Sequence, residues 1–187
     1  MTHAVHASLT AHPDNPRGSV SRVGVTLLQK PDGSLTLAYA IHGPGSFMRI
    51  PSADNPAPPD ALWRTTCCEL FIGMGDAAGV GYREFNFSPS GQWAAYDFSD
   101  YRAKAPTPSG LPVPRIRSGY QENRLRLDAS LPPGALPAGA CLPCALAVIV
   151  EAHDGQLGYW ALAHPAGRPD FHHRSGFTLC LDTTASP

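Results

Sequence analysis

One pattern constrains this chain more than any other: short stretches in which apolar residues fall at every second position, each bounded by turn residues. Val23, Val25 and Leu27 alternate with Arg22, Gly24 and Thr26. Leu35, Leu37, Tyr39 and Ile41 repeat the pattern after the turn Lys30-Pro31-Asp32-Gly33, and Leu125, Leu127, Ala129 and Leu131 interleave with Arg124, Arg126, Asp128 and Ser130. A period of two puts one set of side chains into a core and the other into water, which is a half-buried β-strand. Cys144 to Val150 is apolar without a break. Its length and its valine and isoleucine content predict a central strand buried on both faces. Further strands are predicted at 66–72, 82–87, 92–98, 113–118, 158–163 and 176–182. No stretch combines a helical period with helix caps.

About ten short strands separated by turns predict an all-β fold, an antiparallel β-sandwich or barrel. The 20 prolines and 18 glycines fit that reading, because both residues favour turns over helix interiors. They concentrate in the loops 51–62, 103–112 and 132–143. At 187 residues, a single domain spanning 1–187 is expected. A net charge of −1 lacks the basic footprint that phosphate backbones require, so no nucleic-acid partner is expected. No apolar run approaches the ~20 residues of a membrane span, and the N-terminal residues lack a basic and apolar leader pattern. The expected location is therefore cytoplasmic, with no membrane partner. The five cysteines are an odd count, which favours reduced thiols over a disulfide framework. Cys141-Leu-Pro-Cys144 has CxxC spacing but no second pair, so a structural pair of thiols is expected there, without metal.

Residues 63–102 carry the strongest functional signal. On a strand over 82–87, Phe85 and Phe87 share one face while Tyr82, Glu84 and Asn86 share the other. The turn Ser88-Pro-Ser-Gly91 sends the chain back antiparallel. It delivers Trp93 and Tyr96 to the same region, on opposite faces of their own strand. Together with Arg49, Trp63, Arg64 and Glu69, these residues suit a small polar ligand: rings stack on flat apolar faces, while amide, carboxylate and guanidinium groups fix orientation. The competing reading makes the tryptophans core or rim residues and pairs Glu69 or Glu84 with Arg64 or Arg83. The cluster as a whole favours binding.

A second stretch runs from Tyr159-Trp-Ala-Leu-Ala-His164 to Pro169-Asp-Phe-His-His173. A strand here sets Trp160, Leu162 and His164 on one face. His164, Asp170, His172 and His173 have the composition of a metal site but lack a fixed motif such as HExxH. A structural His–Asp network is expected, and His164, Asp170 and His172 join the candidate ligand-binding set. Glu69 and Glu84 also resemble the paired carboxylates of a glycosidase, provided their strands are adjacent. No G-x-S-x-G, P-loop or HExxH occurs, and Gly73 to Gly79 has the wrong spacing for a nucleotide loop and reads as a hairpin loop. The chain is expected not to be an enzyme.

The motifs Leu62-Trp-Arg-Thr-Thr-Cys67, Glu69-Leu-Phe71, Tyr82-x-Glu-Phe-Asn-Phe-Ser-Pro-Ser-Gly91, Trp93-Ala-Ala-Tyr96, Tyr159-Trp-Ala-Leu-Ala-His-Pro165 and Pro169-Asp-Phe-His172 span nearly the whole chain. With His12-Pro13 and Phe47-Met-Arg-Ile-Pro51, they resemble the bacterial DOMON-like proteins, which are related to family 9 carbohydrate-binding modules. The resemblance implies a β-sandwich of immunoglobulin or jelly-roll type that binds a small ligand, sugar or haem, without catalysis. In sugar-binding relatives stacked tryptophans do the work, which points to Trp63, Trp93 and Trp160. In haem-binding relatives a Met and a His are axial ligands, which leaves Met48 with His164 or His172. No cofactor is the primary expectation, haem the alternative. A protein-interaction module is a further reading, and neither oligomeric state nor ligand identity follows from the sequence.

Overall fold

Each alternating segment becomes a strand. A computed structural model describes residues 3–15, 20–75 and 81–182. Its strands in chain order are β1 His3–Ala11, β2 Arg22–Gln29, β3 Leu35–His42, β4 Cys67–Gly73, β5 Tyr82–Phe87, β6 Trp93–Asp100, β7 Ala103–Ala105, β8 Arg115–Gln121, β9 Arg124–Leu131, β10 Cys141–Glu151, β11 Leu157–Ala161 and β12 Leu179–Asp182. Twelve described strands exceed the expected ten. The additions are β1 and β7, the latter inside a segment read as a proline-rich loop. The 51–62 loop also holds a short 3-10 turn, Pro59–Arg64. The 73–79 segment lies in the β4–β5 connection, and its residues 76–79 fall outside the described ones.

All pairings are antiparallel. One sheet has the order β1-β2-β3-β9-β8; the other runs β7-β6-β5-β4-β10-β11, with β12 also on β10. Strand β1 pairs with β2 along its length and with β11 at Thr10 and Ala11, joining the two sheets at one side. The β3–β9 register sets Leu35, Leu37, Tyr39 and Ile41 opposite Leu131, Ala129, Leu127 and Leu125. All eight are buried, as the alternation requires. They meet Cys68, Leu70, Ile72, Phe85, Phe87, Cys144, Leu146 and Val148 from the second sheet in one core cluster. The Tyr39 phenol crosses this core and donates to the Glu69 carbonyl at 2.9 Å. That bond satisfies a polar group whose burial would otherwise be costly.

Burial also falls on an ion pair. Arg83 and Asp97 sit opposite each other in the β5–β6 register, with Arg83 Nε 2.6 Å and Nη2 2.8 Å from the two Asp97 carboxylate oxygens. A third guanidinium bond, to the Ala135 carbonyl at 2.9 Å, ties down the 132–143 loop. Arg83 is thus the partner of Asp97, and neither Glu69 nor Glu84 takes it.

The cysteine expectation needs correction. Cys141 and Cys180 are joined by a disulfide that spans 39 residues and staples β12 to β10, so Cys141 and Cys144 do not form a pair of thiols. The facing positions Pro143 and Cys180 in the β10–β12 register bring the two strands together, a contact no sequence spacing announces. Cys67, Cys68 and Cys144 are free and buried. Burial pushes the Cys144 thiol up to about 12, so it stays protonated.

Asp97→Ala should cost about 3–5 kcal/mol, because it strands a buried guanidinium. Equilibrium urea unfolding of the variant beside the parent checks this, and a cost under about 1 kcal/mol would show that water solvates the site.

Candidate functional site

On the central strands of the second sheet the outward face is as buried as the core face. Strands β4 and β5 have no exposed residue at all. The pleat that sends Leu70 and Phe85 into the core sends Glu69, Phe71, Tyr82, Glu84 and Asn86 the other way. Tyr96 and Phe98 of β6, Ile149 of β10 and Tyr159 of β11 extend that second face. Two connections lie over it: the 3-10 turn Pro59–Arg64 and the loop around Pro169–His172. Between sheet and loops is a cleft of about 400 Å³, lined among others by Trp63, Glu69, Glu84, Tyr96, Arg102 and His172.

The walls are set locally. In the 3-10 turn Leu62 is buried against Ala57, Cys67 and Ala94. That anchor leaves the next residue, Trp63, 43% exposed at the rim, with the Arg64 guanidinium 4.9 Å from its ring centre. Across the cleft, Asp170 accepts from the Tyr101 hydroxyl at 2.6 Å, Arg102 Nη2 at 2.9 Å and the His172 backbone N–H at 3.1 Å. These bonds clamp the 169–172 loop onto the β6–β7 connection. Lys104 lies 4.8 Å over the Tyr96 ring.

The floor carries the chemistry. Glu69 faces Asn86 in the β4–β5 register and Glu84 faces Phe71, so the two glutamates are diagonal neighbours on one face. The Asn86 amide donates to Glu84 Oε1 at 2.6 Å. His172 Nε2 is 3.7 Å from Glu84 Oε2. The other ring nitrogen, Nδ1, is 2.7 Å from the Tyr82 hydroxyl, which already accepts from the Arg102 backbone N–H. The hydroxyl and Nδ1 share one hydrogen bond, and when the hydroxyl is its donor the imidazole proton sits on Nε2, toward Glu84. Burial, ahead of Arg102 and Lys104, holds His172 down to about 4, so the ring is neutral at pH 7. Glu69 is raised well above the usual carboxylate range, first by burial and then by Glu84. Glu84 is also raised by burial, against the lowering bond from Asn86. No hydrogen bond reaches the Glu69 carboxyl among the described residues.

The candidate residues therefore divide. Trp63, Glu69, Glu84, Tyr96 and His172 line the cleft together. Tyr82 and Asn86 sit beneath it and hold His172 and Glu84. Trp160 does not reach it: the pleat turns this indole into the core, 8% exposed. Trp93 likewise packs against the core cluster, on the face opposite Tyr96. Arg49 ion-pairs with Glu151 at 2.9 Å, and Arg64 covers the outside of Trp63. His164 is away from the cleft, its Nε2 on the Thr10 carbonyl at 2.9 Å, and it does not gather with Asp170 and His173. No group of three or more His, Cys, Asp or Glu among the described residues has the arrangement of a metal site. Met48 is buried in the core, so the Met/His pair of the haem alternative is not assembled and haem gains no support. Phe98, Lys104, Tyr159 and Phe171 line the cleft without having been singled out. Period two on β6 and β11 places Phe98 and Tyr159 on that face, whereas Lys104 comes from β7, inside a segment read as a proline-rich loop, and Phe171 from a connection whose path no local pattern reveals.

No family model matches the chain, and no curated protein matches it in sequence. Among solved structures, a candidate carbohydrate-binding protein from Bacteroides uniformis ATCC 8492 aligns over 92% of this chain and 84% of its own, at 14% identity and a TM-score of 0.66. A family 9 carbohydrate-binding module from Caldicellulosiruptor kristjanssonii, solved with cellotriose, aligns over 85% and 75%, at 11% identity and a TM-score of 0.51. At such identities the likeness establishes the fold, an antiparallel β-sandwich.

The Glu69 carboxyl has a pH signature. A group raised in the folded state binds protons more readily folded than unfolded, so above about pH 4.5 its ionisation erodes stability as pH rises. Glu69→Gln lacks that loss. Its melting temperature relative to the parent's should therefore rise as pH increases above about 4.5. His172 has the opposite sign, losing stability as pH falls from 6.5 towards 4, but it is common to both proteins and cancels in the difference. A margin independent of pH would show Glu69 ionised normally.

Proposed function

We propose that this chain is a non-catalytic module that binds a sugar or a closely related polyhydroxylated ligand in the cleft, as a DOMON-like relative of the family 9 carbohydrate-binding modules. One observation carries the reading: an exposed indole, Trp63, stands at the rim of a cleft whose floor presents two buried carboxyls and a neutral imidazole. The apolar face of a pyranose stacks on an indole or a phenol, here Trp63 and Tyr96, while its hydroxyls bond to carboxyl and imidazole groups. A floor already held in place by Asn86, Tyr82 and Asp170 keeps the cost of ordering on binding low. The structural likeness to carbohydrate-binding proteins points the same way.

The positions of the two acids support the non-catalytic reading. Glu84 is bonded to Asn86 and faced by His172, and Glu69 lies deep in the floor, so each is placed to receive hydroxyls. Isothermal titration against a panel of neutral mono- and oligosaccharides, cellotriose included, tests the proposal. Binding of at least one member is expected, with no release of reducing ends on long incubation. Trp63→Ala should weaken that binding about tenfold or more, roughly 1.4 kcal/mol, while leaving the melting temperature nearly unchanged. A folded protein that binds nothing across the panel would overturn the reading.

A further inference from the structure

The outer face of the first sheet is a second polar surface, built on different lines. Register places Arg22 and Arg124 in one row across β2, β3 and β9, Arg126 in the next, Arg117 opposite Asp128 in a third and Arg115 in a fourth. Five of the chain's 14 basic residues thus share one face with a single carboxylate from these strands, Asp128. Asp128 is taken by Arg126 at 2.8 Å, and Arg22 lies 3.2 Å from His42. Arg115, Arg117 and Arg124 have no partner among the described residues. A shallow groove of about 310 Å³ is lined by Arg117, Arg124 and Arg126. Its floor is open at Gly119, where an added Cβ would meet nothing within 4 Å. A strand glycine of this kind leaves room for another chain to approach.

The strand that carries Arg115 and Arg117 is also an unpaired edge. Strand β8 ends its sheet, and all its residues but Ile116 are exposed. It joins β9 through Glu122 and Asn123, both at positive φ (53° and 55°), the two-residue hairpin turn. Such a turn makes Gln121 and Arg124 a hydrogen-bonded pair, and alternation makes Arg117–Asp128 and Arg115–Ser130 likewise. Ile116, Ser118 and Tyr120 therefore turn their N–H and C=O groups away from β9. None of the three makes a backbone hydrogen bond elsewhere among the described residues.

We propose that β8 is a docking edge for an extended acidic segment of a partner protein, which adds as a further strand and sets alternate Asp or Glu side chains over Arg115 and Arg117. The spacing matches: same-face side chains recur every ~6.7 Å along both strands. An added strand bonded to Ile116, Ser118 and Tyr120 faces Arg115 and Arg117 through non-hydrogen-bonded pairs, where side chains approach most closely. Backbone bonds then give affinity and charge gives selection. A second β8 edge does not supply the matching charge, because β8 carries no carboxylate to set over Arg115 and Arg117 in any register. Nucleic acid and acidic polysaccharide match the charge but offer no backbone ladder to the open edge.

The probe is a fluorescein-labelled peptide of about eight residues alternating Glu and Thr, titrated with the full chain and read by anisotropy. It should bind, and a peptide of the same composition with its glutamates in one block should bind more weakly. N-methylation of the threonines, whose N–H groups meet β8, should abolish binding without touching the protein. Arg115→Glu with Arg117→Glu should weaken it about tenfold or more, both side chains being solvent-facing. Failure of the alternating peptide to bind overturns the proposal and leaves the arginines as a guard against edge aggregation. Unimpaired binding of the methylated peptide, or equal binding of an oligothymidylate or polygalacturonate of matched charge, overturns it in favour of a general polyanion surface.

Discussion

The pleat of the paired strands β4 and β5 is the constraint on which the rest of this structure depends. Successive side chains on a strand must point to opposite faces. Leu70, Ile72, Phe85 and Phe87 are claimed by the core, so Glu69, Phe71, Glu84 and Asn86 have no choice of direction. A one-residue slip would put two carboxyls into the sandwich and four large apolar groups into the cleft. The register is held from the far sheet as well, by the Tyr39 phenol bonded to the Glu69 backbone. The fold and the floor of the cleft are therefore one interaction seen from two sides.

That arrangement explains the electrostatics. Two acids on adjacent central strands, roofed by loops, are deprived of water, and both carboxyls rise in consequence. No buried cation among the described residues neutralises them. The structure places Arg102 and Lys104 at the edge, and pairs the buried guanidinium of Arg83 with Asp97. His172, stripped of water by the same roof, stays neutral beside them. The floor is thus rich in hydrogen-bonding groups.

The two polar surfaces illustrate opposite solutions for a sheet face that is not core. The second sheet folds its connections back over itself and makes a cleft. The first sheet leaves its outer face open, with arginines around small residues such as Gly24, Ala38 and Gly119, and with β8 at its edge. A chain of net charge −1 hides this separation, because composition averages over faces that point in opposite directions.

Period-two alternation sufficed to define β2, β3, β5 and β9, because burial on one face is written into neighbouring residues. It also announced Glu84 and Asn86 as companions and Phe85 and Phe87 as core. Trp63 with Glu69 was legible from residue type alone. The rest depended on contacts between residues far apart. Trp160 and Trp93 have the chemistry of ligand-stacking residues, and only the packing of one sheet on the other decided that they face inward. His164 is near Asp170 and His172 in sequence yet parts from them, because Tyr82 and Arg102 hold those two at the cleft and the Thr10 carbonyl takes His164. Cys180 found Cys141 only once β12 lay beside β10. Alternation is a local property, so the sequence by itself determined the strands and their two faces. Which face meets the other sheet, which lies under a loop and which stays open is settled by contacts across tens of residues, and only the tertiary structure decided it.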